Sequence, residues 1–135
     1  MALKEKGLAT TLREYVFEWE NRNGVMIDLV IQNSRRMPLE TEQAIYRIIQ
    51  EALANVARHS QADQVNVSLV YNSETVAIKV EDNGLGFNAH HKAGGMGLRI
   101  INERAESIGG RACIESEPGS GTKVVITAPL NGQKQ

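Results

Sequence analysis

Apolar residues recur at helical spacing through Leu8, Leu12, Tyr15, Val16 and Trp19, and Asn23-Gly24 then stops the run. This predicts a helix over residues 3 to 22. The period drops to two in "VMIDLVIQ" (25–32), where Val25, Ile27, Leu29 and Ile31 share one face of a strand. "MPLETEQ" (37–43) turns at Pro38 into a second helix, from about Thr41 to His59. Its Ile45, Ile48, Ile49, Ala52, Leu53 and Val56 form a wide apolar stripe. Strands at 65–71 and 75–82 follow, joined by a short Asn-Ser turn. A polar, glycine-rich loop runs from Asn83 to Gly97. Leu98, Ile101, Ala105 and Ile108 mark a third helix, ended by Gly109-Gly110. Strands at 112–116 and 122–130 flank "EPGSG", and the tail "NGQKQ" is expected to fray.

The order is helix, strand, helix, two strands, loop, helix, two strands. Hairpins make the sheet mixed and mostly antiparallel. Three helices covering one face of it give an α+β fold, a two-layer α/β sandwich. Strict βαβ alternation, the mark of a doubly wound nucleotide fold, is missing. No repeat or low-complexity segment interrupts the pattern.

With 135 residues the chain suits one domain with a real core. The 15 basic and 16 acidic residues leave a net charge of -1, which gives no reason to expect nucleic acid or a membrane surface as partner. Cys113 is a single cysteine, so no disulfide forms within the chain, and a reducing, cytoplasmic setting is expected. No apolar run reaches membrane-spanning length. The start, "MALKEKGLATTL", has no apolar signal core and reads as a chain entered in mid-helix, part of something longer.

The first chemical question comes from "VEDNGLGF". Val76, Ile78 and Val80 share a face, and Asp82 falls on that same apolar side. An inward carboxylate is costly unless something hydrogen-bonds it, either the protein or a ligand. The run "GLGFNAHHKAGGMG" then supplies 14 residues of loop composition with five glycines. Loops that long are functional lids or disordered segments. Gly84 and Gly86 allow close backbone approach. Gly94, Gly95 and Gly97 lead into the helix at Leu98, whose free N–H groups and dipole suit a phosphate. The loop lacks the Gly-Lys-Ser/Thr of a Walker A motif, and Ile100 breaks a dinucleotide fingerprint.

In "QEALANVARHS", Glu51, Asn55 and His59 are spaced by four and line one side of the helix. Asn55 lies beside the apolar stripe, with Glu51 further out. A solvated edge gives the same pattern as a ligand row. In "GSGTKVVI", Thr122 shares the inward face with Val124 and Ile126. Its hydroxyl is either a partner for Asp82, directly or through water, or bonded to its own loop.

Together these blocks resemble the GHKL ATPase superfamily, with its Bergerat fold. Its N, G1, G2 and G3 boxes correspond to "EALANVARHS", "DNGLGF", "GGMGL" and "GSGT", in order and at the family's spacing, across residues 25 to 130. In detail the chain resembles the catalytic ATP-binding domain of a sensor histidine kinase of the nitrate-sensor and desaturase-sensor branch. The resemblance rests on "GLATTLREYVFEWENRNGVMIDL" and "GLRIINERAESIGGRACIESEPGSGTKVVITAPL". On this reading residues 1–24 are a helix leading in from an upstream region, 25–130 the catalytic domain and 131–135 a tail.

The resemblance implies ATP and Mg²⁺ as ligands. Asp82 would accept a hydrogen bond from the adenine amino group, with Thr122 in the water network around it. Gly84 and Gly86 would let the chain pass close to the base. Asn55 would offer its amide oxygen to Mg²⁺, and Glu51 would orient water or act as base. Arg58 and His59 would face the phosphates, Arg58 being equally readable as a surface charge. Gly95, Gly97 and the N–H groups of Leu98 and Arg99 would cap the phosphates. Residues 88 to 95 would form a short lid anchored by Phe87. The implied partners are a separate dimerisation and phosphoacceptor domain and a response regulator, in a homodimeric parent, membrane-anchored or free, this piece being monomeric. His59, His90 and His91 do not sit in a phosphoacceptor segment. His90-His91 have poor chelate geometry. Cys113 reads as an inert small core or edge residue of a strand, and Trp19 as a packing residue of the first helix.

Rival readings on the same fold are a serine kinase acting on a sigma-factor system and an ATP-gated clamp of the gyrase or chaperone kind. The clamp needs a longer lid and a transducer lysine, neither of them visible here. A degenerate nucleotide-binding module is the non-catalytic alternative.

Overall fold

The computed structural model describes residues 2–85 and 95–131. Helix α1 (Ala2–Asn23) precedes strand β1 (Met26–Gln32), and helix α2 (Leu39–Asn55) runs on into a π-helical turn (Val56–Ser60). Strands β2 (Gln64–Tyr71) and β3 (Thr75–Asp82), helix α3 (Gly95–Ser107), and strands β4 (Arg111–Ser116) and β5 (Thr122–Pro129) complete the fold. The sheet order is β1-β2-β3-β5-β4. The β1–β2 pair is parallel and the others are antiparallel. This is the expected α+β sandwich with a mixed, mostly antiparallel sheet.

The alternation read from sequence sets which face is buried. Val65, Val67, Leu69 and Tyr71 of β2, Val76, Ile78 and Val80 of β3, and Val124, Ile126 and Ala128 of β5 are all buried on the helix side. Ile45, Ile48, Ile49 and Leu53 of α2 meet them, flanked by Leu8, Leu12, Val16 and Trp19 of α1 and by Leu98, Ile101, Ala105 and Ile108 of α3. Burial at about 25 cal/mol per Å² of apolar surface is the main force holding the layers together.

Three element boundaries differ from the sequence expectation. First, α1 is broken at Gly7, whose φ of 86° and ψ of 169° lie outside helical space. Arg36 packs against the break: its guanidinium donates to the Lys4 carbonyl at 3.0 Å and reaches Glu42 at 3.4 Å. Glu42 is completely buried and also accepts from the Met37 N–H at 3.1 Å. Periodicity from Leu8 onward carries no information about this joint, because the interactions that hold it come from residues about thirty positions away.

Second, α2 starts at Leu39, directly after Pro38, whose carbonyl accepts from the Glu42 N–H at 3.1 Å. The ordinary helix ends at Asn55, and residues 56 to 59, expected as α-helix, belong to the wider π turn. Third, α3 begins at Gly95 rather than Leu98, since an apolar pattern cannot register glycines in a first turn. It closes as expected at Gly109-Gly110, with the Gly110 N–H bonded to the Ala105 carbonyl at 2.8 Å.

Candidate functional site

Asp82 ends β3 with its side chain on the helix side and 7% exposed, as the parity of the strand requires. Register places it in a lateral row with Val65 of β2, Thr122 of β5 and Ser116 of β4. Asp82 Oδ1 accepts a hydrogen bond from the Gly84 N–H at 2.8 Å. The other carboxylate oxygen has no hydrogen-bond partner among the described residues. Thr122 does not supply one: its Oγ1 lies 2.8 Å from Ser116 Oγ, which in turn donates to the Gly121 carbonyl at 3.0 Å. A cavity of about 200 Å³ borders this row, touched by Asp82, Ser116, Gly121 and Thr122.

The backbone beneath the carboxylate is tightly built. Gly121 has φ +81°, and a Cβ there would run into the carbonyl group of Asp82. The Gly119 N–H bonds the Leu85 carbonyl, tying the loop after β3 to the loop before β5. Asn83, whose Asn-Gly pair resembles an ordinary turn, instead bridges to β2. Its Oδ1 accepts from the N–H groups of Asp63 at 3.1 Å and Gln64 at 3.2 Å, and its Nδ2 donates to Asp63 Oδ1 at 2.7 Å. Asn83 and Ser116 are contributors that sequence reasoning missed. The alternation of β4 places Ser116 opposite Thr122, but nothing local distinguishes it from a surface serine.

The π turn after α2 reaches β2 through residues 61–63, so Asn55 and Asp82 lie at the same end of the domain. Glu51 and Asn55 are partly buried, as expected for the margin of the stripe. Arg58 joins them: its Nη2 is 2.9 Å from Asn55 Oδ1 and 3.5 Å from Glu51 Oε2. His59 lies in the π turn, and its side chain is outside the described part. The helix α3 runs from Gly95 to a terminus that feeds β4 at Arg111, the end of β4 away from Ser116. Its N-terminus therefore points back toward the Asp82 end, where the first-turn N–H groups of Gly95, Met96, Gly97 and Leu98 have no intrahelical partner. The Leu98 side chain is buried in the core, and Arg99 pairs with Glu103 at 3.7 Å. Gly86, Phe87, His90, His91 and most of the expected lid lie outside the described residues.

The oxygen donors Asn55 and Glu51 are of the hard type that magnesium takes, and a cationic group already sits at hydrogen-bond distance from Asn55 Oδ1. Among the described residues no cluster of three or more His, Cys, Asp or Glu is placed to hold a metal. One or two protein oxygens completed by phosphate and water suit magnesium and do not suit zinc. A larger cavity, about 410 Å³, lies among α1, α2 and α3 beside Thr11, Tyr46, Arg47 and Arg104. It contains no residue of this constellation. Among the described residues no helix is long and apolar enough to cross a membrane.

Comparison with known proteins supports the same grouping. The family model "Histidine kinase-, DNA gyrase B-, and HSP90-like ATPase" matches residues 40–132. The signal transduction histidine-protein kinase/phosphatase DegS of Brevibacillus brevis is 33% identical over 99% of this chain and 35% of its own length. The sensor histidine kinase LiaS of Bacillus subtilis is 37% identical over 96% of this chain and 36% of its own. The chain thus spans about a third of the length of these curated relatives. Among solved structures, the histidine kinase domain of the Erythrobacter litoralis EL346 blue-light activated histidine kinase superposes with a TM-score of 0.74. It is 25% identical, and the match covers 91% of this chain and 61% of that one.

Proposed function

Because this chain belongs to the histidine kinase-, DNA gyrase B- and HSP90-like ATPase family, we propose that it is the ATP-binding catalytic domain of a sensor histidine kinase, of the nitrate-sensor-like branch. It holds ATP while a histidine on a separate dimerisation domain attacks the γ-phosphorus and ADP leaves. A response regulator then receives the phosphoryl group, in the cytoplasm. The observation that carries this reading is Asp82: an inward carboxylate with one oxygen on the Gly84 N–H and the other without a described partner. Such an oxygen is matched by the exocyclic amino group of adenine.

The remaining residues position and neutralise. Gly84 holds the carboxylate in orientation, and the Ser116–Thr122 pair fixes the neighbouring polar edge. Asn55 Oδ1 would hold Mg²⁺, which would supply charge neutralisation to the phosphates. The first-turn N–H groups of α3, at Gly95, Gly97 and Leu98, cap the phosphates. Glu51 stays near the phosphates as an orienting carboxylate. Phosphoryl transfer is mostly positioning and electrostatic stabilisation, so a site without a strong base is adequate when the nucleophile arrives from outside. The serine-kinase and clamp alternatives share this fold, but the relatives named above are sensor or signal-transduction histidine kinases.

Calorimetric titration of the domain with ADP tests the reading. Asp82→Asn is expected to stay folded and lose measurable binding, because the amide presents a donor where the ligand also donates. Unchanged affinity in the variant overturns the adenine assignment.

A further inference from the structure

We infer that Arg58 is a built-in stand-in for the magnesium ion, seated on the metal's oxygens before nucleotide arrives and displaced when metal-bound nucleotide enters. The inference rests on the proposed role of Asn55 as metal ligand. One guanidinium nitrogen, Arg58 Nη2, approaches both candidate oxygens, Asn55 Oδ1 at 2.9 Å and Glu51 Oε2 at 3.5 Å. Both are hard oxygen donors in the last turns of α2, and a single cation spans them.

The two occupants exclude each other. Magnesium sits about 2.0–2.1 Å from its oxygens and demands near-octahedral geometry. A guanidinium 2.9 Å from Asn55 Oδ1 fills the approach to that oxygen and adds a like charge beside the ion. Coordination of Asn55 therefore requires Arg58 to leave. Leaving is cheap on two counts. The Arg58 side chain is 53% exposed, so little packing is lost and water replaces its contacts. It also sits in the π turn Val56–Ser60, whose hydrogen-bond register departs from that of the preceding α-helix. Single π turns of this kind are frequent at functional sites. A register change confined to that turn would swing Arg58 away without disturbing the buried stripe of α2. Once released, the guanidinium is free to pair with a phosphate oxygen that arrives with the metal.

The arrangement makes metal binding a competition. Arg58 matches Asn55 and Glu51, two partly buried polar groups beside the core. The cost falls on Mg²⁺, which must evict it. Removing Arg58 should therefore increase the advantage that Mg²⁺ gives to nucleotide binding, even if the nucleotide itself binds more weakly.

The test is ADP calorimetry with and without Mg²⁺ on the unaltered domain, Arg58→Ala and Arg58→Gln, with circular dichroism to verify folding. The quantity read is the ratio of ADP affinities in Mg²⁺ and in chelator. The expected result is a ratio roughly three- to tenfold larger in Arg58→Ala than in the unaltered protein. Arg58→Gln, which keeps a donor and loses the charge, should fall between them. In parallel, the Arg58 side-chain Nε–H resonance should move on adding ADP with Mg²⁺ and much less on adding Mg²⁺-free ADP. A Mg²⁺-enhanced unaltered domain whose ratio is unchanged or lowered by both substitutions overturns the stand-in role and leaves the nucleotide site intact. Equal ADP binding by the unaltered domain with and without Mg²⁺ overturns the metal role of Asn55 and the stand-in together. Failure of the unaltered domain to bind ADP at all overturns the functional reading itself.

Discussion

Asp82 and Thr122 stand directly opposite one another across β3 and β5, on the same inward face, and each is bonded to a different neighbour. Asp82 takes the Gly84 N–H, while Thr122 pairs with Ser116. The inward polar edge therefore holds two separate hydrogen-bonded groups, Asp82 with Gly84 and Thr122 with Ser116. Thr122→Val should break one pair and leave the Asp82–Gly84 bond in place. The expected loss of ADP affinity is about fivefold, near 1 kcal/mol, the scale of one neutral hydrogen bond. Calorimetry should place it well short of the loss in Asp82→Asn. Equal losses in the two variants would mean that Thr122 touches the nucleotide directly.

Asn55→Asp is predicted to remove the Mg²⁺ contribution to ATP binding while sparing adenosine. A carboxylate at this position would form a charged pair with Arg58, now 2.9 Å from the amide oxygen, and would repel the phosphates. Titrating ATP and adenosine against the variant, each with and without Mg²⁺, separates the effects. Equal Mg²⁺ dependence in both proteins would remove Asn55 from the metal site.

Gly119 and Gly121 make a controlled comparison. Both have positive φ, near +85° and +81°. A Cβ on Gly119 meets nothing within 4 Å, whereas one on Gly121 meets the Asp82 carbonyl group. Gly119→Ala should cost about 1 kcal/mol of stability from backbone strain alone. Gly121→Ala should cost about 3 kcal/mol or more, since β3 and β5 must separate at that point. Urea melts of the two variants measure the difference.

Tyr71 sets an alkaline limit. Burial pushes its hydroxyl up to about 12, with Glu42 adding to the rise and Arg36 opposing it. The folded value lies above the unfolded one near 10.0, so the contribution is fully present below pH 10 and is lost as pH rises toward 12. At about 1.4 kcal/mol per pH unit the limb is worth ~2–3 kcal/mol. The Tyr71 hydroxyl also has no hydrogen-bond partner among the described residues. Tyr71→Phe should therefore be neutral or stabilising at pH 7 and should flatten the fall in stability between pH 10 and 12. Part of the fall should remain, because burial also raises Tyr15 and Tyr46. Denaturant melts across that range read both effects.

Most of the architecture was legible because the face of every strand follows from parity. The alternation from Val76 to Asp82 located an inward carboxylate before any fold was known, and it is buried as that alternation required. Helix stripes placed α2 and α3 for the same reason. What stayed hidden depends on contacts distant in sequence. The Gly7 break is held by Arg36 and Glu42, and no local period records it. Thr122 was a candidate partner for Asp82, but the pairing was decided by Ser116, a residue with no motif of its own. Arg58 was readable as a phosphate ligand or a surface charge. Its contact with Asn55 is an i, i+3 pair, and spacing alone does not say that the guanidinium turns to the amide oxygen.

The close approach of Gly121 to Asp82 has a consequence for lineages that drift. On the proposed reading the Asp82 side chain answers to a ligand, whereas Gly121 answers to the Asp82 backbone, which every residue type at position 82 would share. A descendant released from selection for nucleotide binding could replace the carboxylate at the cost of its bond to the Gly84 N–H, and would still be held to glycine at 121 by folding alone. The two positions should therefore decay on different clocks. Among divergent copies, retention of the glycine testifies to an intact sheet, and only retention of the carboxylate testifies to a working site.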